Sequence, residues 1–161
     1  MEERLIFTTI WKRLGLQQFL ADTSDLEDLE SKITDKTRVI FAETIGNPKL
    51  DVTDIPALAE IAKRHNLPLM IDNTVATAFL VRPLELGADI VINSTSKYIN
   101  GNSSAISGVI TDAGRFKWDL ERYPGMKDYK KDLQNFGLYC KTEKRIVPQH
   151  GSLYGAADCI L

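Results

Sequence analysis

Apolar residues recur along this chain in two rhythms, one helical and one of short unbroken runs. Leu5, Ile6, Ile10, Trp11 and Leu14 keep helical spacing and predict a helix over 4–14, closed by Gly15. Leu16 to Leu20 reads as a short strand. Thr23 or Ser24 suits the cap of a second helix over 25–33, which puts Leu26, Leu29 and Ile33 on one face. Thr37-Arg38-Val39-Ile40-Phe41-Ala42 reads as a continuous strand, followed by a Gly46-Asn47-Pro48 turn. Asp54 caps a helix reaching about His65, with Pro56 in its first turn and Ile55, Leu58, Ile61 and Ala62 on its buried face. Asn66 is a left-handed stop, with Pro68 just beyond it. Leu69-Met70-Ile71 is a buried strand ending at Asp72. A brief helix spans Pro83 to Leu86 and stops at Gly87. Ile90-Val91-Ile92 is another buried strand ending at Asn93, and Ile106 to Thr111 is the last.

Short apolar strands separated by helices predict an α/β fold, a mostly parallel sheet flanked by helices. After about residue 115 the chain turns rich in Lys, Asp and Tyr and its periodicity weakens. A helix over about 128–146 is the one candidate there, and the final fifteen residues give no element. The division this predicts is an α/β domain over 1–120 and a helical or irregular tail over 121–161.

Composition narrows the function classes. With 161 residues the chain is long enough for one cored domain. A net charge of −2 offers no electrostatic footprint for nucleic acid or an anionic membrane. No apolar run reaches the roughly 20 residues of a membrane span, and Met1-Glu2-Glu3-Arg4 does not open like a secretory signal. Cys140 and Cys159, without metal-like spacing, suit a reduced, cytoplasmic setting. His65 and His150 lie far apart, a poor start for a zinc site or a serine–histidine pair.

The polar residues closing the strands carry the candidate chemistry. Phe41-Ala42 runs into Glu43 and Asn47, Met70-Ile71 into Asp72-Asn73-Thr74, and Val91-Ile92 into Asn93-Ser94-Thr95-Ser96-Lys97. In parallel α/β sheets ligands bind beyond these carboxyl ends, so the three clusters should share one rim. A lysine amine condenses with an aldehyde, hydroxyls and backbone donors hold a phosphate, and a carboxylate keeps a pyridine nitrogen protonated. These are the minimum parts of a pyridoxal-phosphate site. From the residues alone, a surface lysine in a serine-rich loop, with Asp72 as a turn residue, is the stronger alternative.

Four ordered blocks reverse that balance: Glu43-Thr44-Ile45-Gly46-Asn47-Pro48, Leu69-Met70-Ile71-Asp72-Asn73-Thr74, Gly87-Ala88-Asp89-Ile90-Val91 and Ser94-Thr95-Ser96-Lys97-Tyr98. In order and spacing they resemble the Cys/Met-metabolism (trans-sulfuration) family of pyridoxal-phosphate enzymes, which includes cystathionine γ-synthase, methionine γ-lyase and O-acetylhomoserine sulfhydrylase. Asp51-Val52-Thr53-Asp54-Ile55 and Gly114-Arg115-Phe116-Lys117-Trp118 look most like the sulfhydrylases. The resemblance implies the large domain of a fold-type I enzyme, truncated at both ends. It implies pyridoxal 5'-phosphate as cofactor and a small amino-acid substrate. The implied activity is γ-replacement on an O-acyl-homoserine with sulfide or a thiol, as a transferase of methionine biosynthesis, with lyase chemistry as the alternative. By this resemblance Lys97 matches the lysine that links to the cofactor aldehyde and later carries protons. Asp72 matches the partner of the pyridine nitrogen, and Ser94 and Ser96 match the hydroxyls that hold the phosphate. Asn47 matches a residue near the cofactor hydroxyl or the substrate carboxylate, although before Pro48 it also suits a plain turn. Thr74 matches a residue lying against the ring, although packing alone would account for it. Glu43 reads as a satisfied strand-end carboxylate, His65 as a helix-end residue that is solvated or on the last carbonyls, Tyr98 as core or support, and Phe116 and Trp118 as packing.

The sequence departs from the family in two ways. Relatives commonly follow the lysine with a Gly-His-Gly loop, where this chain has Gly101-Asn102-Ser103-Ser104. Family members are also commonly more than twice as long. Their N-terminal part supplies a phosphate-binding glycine loop, a ring-stacking tyrosine, and a tyrosine and arginine given to the neighbouring subunit of a homo-oligomer. Their C-terminal domain supplies the arginine that clamps the substrate carboxylate. The expectation is a central fragment that links cofactor weakly and turns over poorly, or a remnant without activity.

Overall fold

The computed structural model describes residues 15–23 and 25–129. The helix expected over 4–14 and the final fifteen residues lie outside that range. So does the expected 128–146 helix, except that its first two residues close a 3-10 turn, Pro124–Tyr129.

Helix α1, Leu26–Ser31, begins where the Asp25 carboxylate accepts the amides of Glu27 and Asp28 at 3.1 and 3.0 Å, one residue past the expected cap. Strand β1 is Ile40–Glu43, shorter than expected. The cause is local: Thr34 and Thr37 bond each other's backbone in a closed turn, so pairing starts only at Ile40, whose amide donates to Pro68 O. Leu16 to Leu20 forms no strand; the Leu20 carbonyl is taken by Lys32 Nζ instead.

Helix α2 is Ile55–Arg64, capped by Asp54 Oδ1 on the Ala57 amide at 3.0 Å, and its buried residues are the four expected ones. Asn66 follows at a φ of +50°. Strand β2 is Leu69–Asp72. Next comes a single turn, α3, Thr77–Leu80, which has no side-chain cap to announce it. Pro83 to Leu86 makes i→i+3 turns rather than a helix. Strand β3 is Ile90–Ser94 and β4 is Gly108–Asp112.

The sheet order is β1-β2-β3-β4. The first three strands are parallel, with Ile71 opposite Ala42 and Val91, and β4 runs antiparallel to β3. The α/β, mostly parallel architecture is thus present. On one face Ala42, Ile71 and Val91 pack against Leu58, Ile61 and Ala62 of α2, with Leu29 and Ile33 at the margin. The opposite face carries a smaller cluster of Met70 and Ile90 with Ile92, Ile110 and Trp118. Phe116, Trp118 and Tyr123 meet edge to face, centroids 4.9 to 6.1 Å apart, which makes the first two packing residues as expected. Arg122 then reaches back to the carbonyls of Thr37, His65 and Asn66. Among the described residues no helix is long and apolar enough to cross a membrane.

Candidate functional site

Parallel pairing puts the ends of β1, β2 and β3 side by side: Glu43 lies opposite Asp72, and Asp72 opposite Ile92. Asp72 is half-buried. Its Oδ1 accepts the Thr74 amide at 2.9 Å, which turns the chain sharply at the strand end. Its Oδ2 accepts nothing from the described residues. Thr74 is buried, and its hydroxyl accepts the Ser94 amide at 2.8 Å, joining the end of β2 to that of β3. The Ser94 and Ser96 hydroxyls lie 2.9 Å apart.

Directly after β3, Thr95–Ile99 forms a π-type turn, closed by Asn100 N on Thr95 O at 2.9 Å. Such turns hold an extra residue per loop of helix and concentrate at functional sites. Lys97 sits at its kink, exposed, with φ −91° and ψ −110°. Its amine makes no ion pair or hydrogen bond with the described residues. The Thr95 and Ser96 amides both donate to Ser107 O, which fixes this turn against the entry to β4.

Asp72, Thr74, Ser94 and Ser96 therefore form one linked series, with Lys97 next along the chain. Asn47 stands apart, exposed in the turn after β1 and joined to Pro48 by a cis bond. Its amide donates to Glu43 Oε2 at 2.9 Å, so Glu43 is the satisfied carboxylate expected of it. No hydrogen bond joins Asn47 to the other five among the described residues. Tyr98, expected in the core or as a support, is 65% exposed on the π-type turn. His65 follows the last residue of α2 as expected, but its ring lies on Glu30 of α1 at 2.7 Å rather than in solvent or on the last helix carbonyls.

Two buried residues were not singled out from the sequence, Thr44 and Asn73, which bond each other at 2.8 Å. The available signal was their position: each is the polar residue just past an apolar strand, at an inward point of the alternation.

This donor set suits pyridoxal phosphate. Paired hydroxyls match a phosphate, an aspartate with one pinned and one open oxygen matches a ring nitrogen, and a lysine without a partner among the described residues matches an aldehyde.

The sequence profile of the Cys/Met metabolism PLP-dependent enzymes matches residues 3–160. The O-acetyl-L-homoserine sulfhydrylase of Corynebacterium glutamicum is 47% identical over 118 residues, 73% of this chain and 27% of that protein. The structure of a Lactobacillus plantarum cystathionine γ-lyase complexed with L-serine is 40% identical, with a TM-score of 0.64 over 66% of this chain and 28% of its own. A Campylobacter jejuni structure, described as an O-acetylhomoserine (thiol)-lyase and holding N'-pyridoxyl-lysine-5'-monophosphate, is 33% identical, with a TM-score of 0.69 over 73% of this chain and 29% of its own. The chain spans about a quarter of the length of the curated relatives it matches. A profile covering nearly every residue and the parallel sheet that presents Asp72, Ser94 and Lys97 at one rim lead to one conclusion: this chain belongs to the Cys/Met metabolism family of pyridoxal-phosphate-dependent enzymes.

Proposed function

We propose that the chain carries the cofactor-anchoring part of an enzyme that exchanges the γ-substituent of an O-acyl-homoserine for sulfide or a thiol. The observation that supports this reading best is the hydrogen-bonded series Asp72–Thr74–Ser94–Ser96, leading directly to Lys97. When bound, pyridoxal phosphate supplies an aldehyde for condensation with an amine and a protonated ring that takes up negative charge. In this reading the residues divide the work. The Lys97 amine anchors the cofactor covalently, then takes and returns the proton at the substrate's α-carbon. Asp72 Oδ2 keeps the proton on the ring nitrogen, while Thr74, pinned through its hydroxyl, presents its body to the ring. Ser94 and Ser96 hold the phosphate, and Asn47 stands at the rim toward the substrate. The proposed cofactor domain is residues 1–120, with 121–161 as a tail. The proposed setting is the cytoplasm, and the proposed assembly is a homo-oligomer.

A lyase reading has its own support in the 40% identity to the cystathionine γ-lyase, since anchor and phosphate site serve both reactions. The purified chain mixed with pyridoxal phosphate should develop a visible absorbance that borohydride bleaches, and Lys97→Ala should abolish it. Identical spectra for the two proteins would falsify the site. With O-acetylhomoserine and sulfide, homocysteine indicates replacement and 2-oxobutyrate indicates elimination. A band that the substrate leaves unperturbed favours an inactive remnant.

A further inference from the structure

Asn73 lies between Asp72 and Thr74, fully buried, with all its polar groups engaged. Its Oδ1 accepts from Thr44 Oγ1 at 2.8 Å and its Nδ2 donates to Val81 O at 2.9 Å. Its amide donates to Ile92 O at 2.8 Å, and its carbonyl accepts from Thr77 N at 2.8 Å. The Val81 carbonyl can only accept, so the amide nitrogen must face it and Oδ1 must face Thr44; the Thr44 hydroxyl is therefore the donor. Thr44 is buried too, and its own amide donates to Asp72 O at 2.9 Å. Its side chain thus ties the end of β1 to the C-terminal end of α3, while its backbone ties β2 to β3 and to the start of α3.

The segment so held includes Thr77 at a φ of +58°, a left-handed conformation that β-branched residues avoid. Such a conformation persists only where its surroundings over-determine it. Asn73 bonds both sides of it, through Thr77 N and Val81 O.

We propose that Thr44 and Asn73 are positioning residues: their buried hydrogen bond fixes the direction in which Asp72 and Thr74 leave β2. It thereby sets where the open Asp72 oxygen and the Thr74 hydroxyl stand relative to Ser94. The inference rests on the cofactor reading given above and deepens it. Away from water a half-made polar pair is costly, so the bond has one good geometry rather than several.

Thr44→Val keeps the shape of the side chain and removes the donor, while Thr44→Ser keeps the donor. Ile61→Val, in the α2 core, supplies a loss of stability away from the rim. Pyridoxal phosphate is titrated into each full-length chain, and the pH at which the bound cofactor's visible band titrates is recorded. Amide exchange at Thr74 and Ser94 is measured without cofactor. Thr44→Val should weaken cofactor binding about five- to tenfold. It should also move the band's titration and speed exchange at the Thr74 amide. Thr44→Ser and Ile61→Val should stay within about twofold of the parent. Parent-like binding and exchange in Thr44→Val, or the same losses in Ile61→Val, overturn the proposal. Should Thr44→Val not fold, exchange in the parent decides: the Thr44 and Thr74 amides must open together with one denaturant dependence, and independent opening refutes the pairing. A band that Lys97→Ala leaves unchanged overturns the cofactor reading and this inference with it. A Lys97-dependent band with parent-like Thr44→Val overturns this inference alone.

Discussion

Gly87 closes the turn before β3 at a φ of +110°, and a Cβ placed there would stand 2.6 Å from the Cβ of Ala59 on α2. Both the backbone conformation and the space therefore demand glycine. Gly87→Ala should destabilise the chain by more than about 1 kcal/mol, read as a lower urea midpoint with an unchanged slope. Gly87 was legible as a stop signal, but not as a contact point, because nothing in the local sequence places Ala59 beside it. The same limit applied at the rim. Lys97, Asp72, Ser94 and Ser96 stood out as candidates by chemical type and by their position at strand ends, and the family resemblance raised them above a plain surface loop. Thr44 and Asn73 offered only their inward place just past a strand, since their importance lies in facing each other across 29 residues of sequence. Asn47 was legible as a turn residue, and the structure leaves its side chain facing solvent in that turn.

Among the elements, α2 was the most legible, because cap, periodicity and stop signal agree over Asp54 to Asn66. Strand β1 was overread at its start, where threonine hydroxyls offered the backbone a local alternative to the ladder. Helices α1 and α2 are joined by an ion cluster in which Glu30 accepts from His65 at 2.7 Å and Arg64 at 2.8 Å. The His65 hydrogen bond first, and the Arg64 one next, hold the Glu30 carboxyl below its ordinary value of 4.5. A carboxylate lowered on folding contributes stability above its unfolded value, and that contribution disappears as pH falls through the folded value. Glu30→Gln should therefore lower stability near neutral pH and flatten its loss on acidification below 4.5. Urea midpoints at about pH 6 and about pH 3 check this, the gap between variant and parent narrowing at the acid end. At an exposed cluster the effect is a fraction of a full ion pair.

At the scale of the molecule, strand direction was only partly legible: helices between β1, β2 and β3 implied parallel pairing, but nothing local showed that β4 returns antiparallel. Arg122 was equally opaque. Its guanidinium binds Thr37 O at 2.8 Å and the His65 and Asn66 carbonyls at 3.2 and 3.3 Å, so it joins the lead-in to β1 with the end of α2. Tyr123 adds a hydrogen bond to Arg38 O at 2.8 Å. Burial raises the Tyr123 phenol above its ordinary value of 10.0. Its contribution is thus complete below that pH and is lost as alkali ionises the folded form. Arg122→Met should cost about 2 kcal/mol or more, from charged hydrogen bonds to partly buried carbonyls. Thermal melts check the loss, and Arg122→Lys should recover only part of it, lacking the planar fork. The sheet order equals the chain order, so on the ribosome each strand can join its predecessor as it emerges. The Arg122 tie breaks that sequence, reaching back 85 residues to Thr37. During synthesis the rim-bearing strands can therefore assemble first, while the root of β1 stays unfastened until Arg122 has emerged.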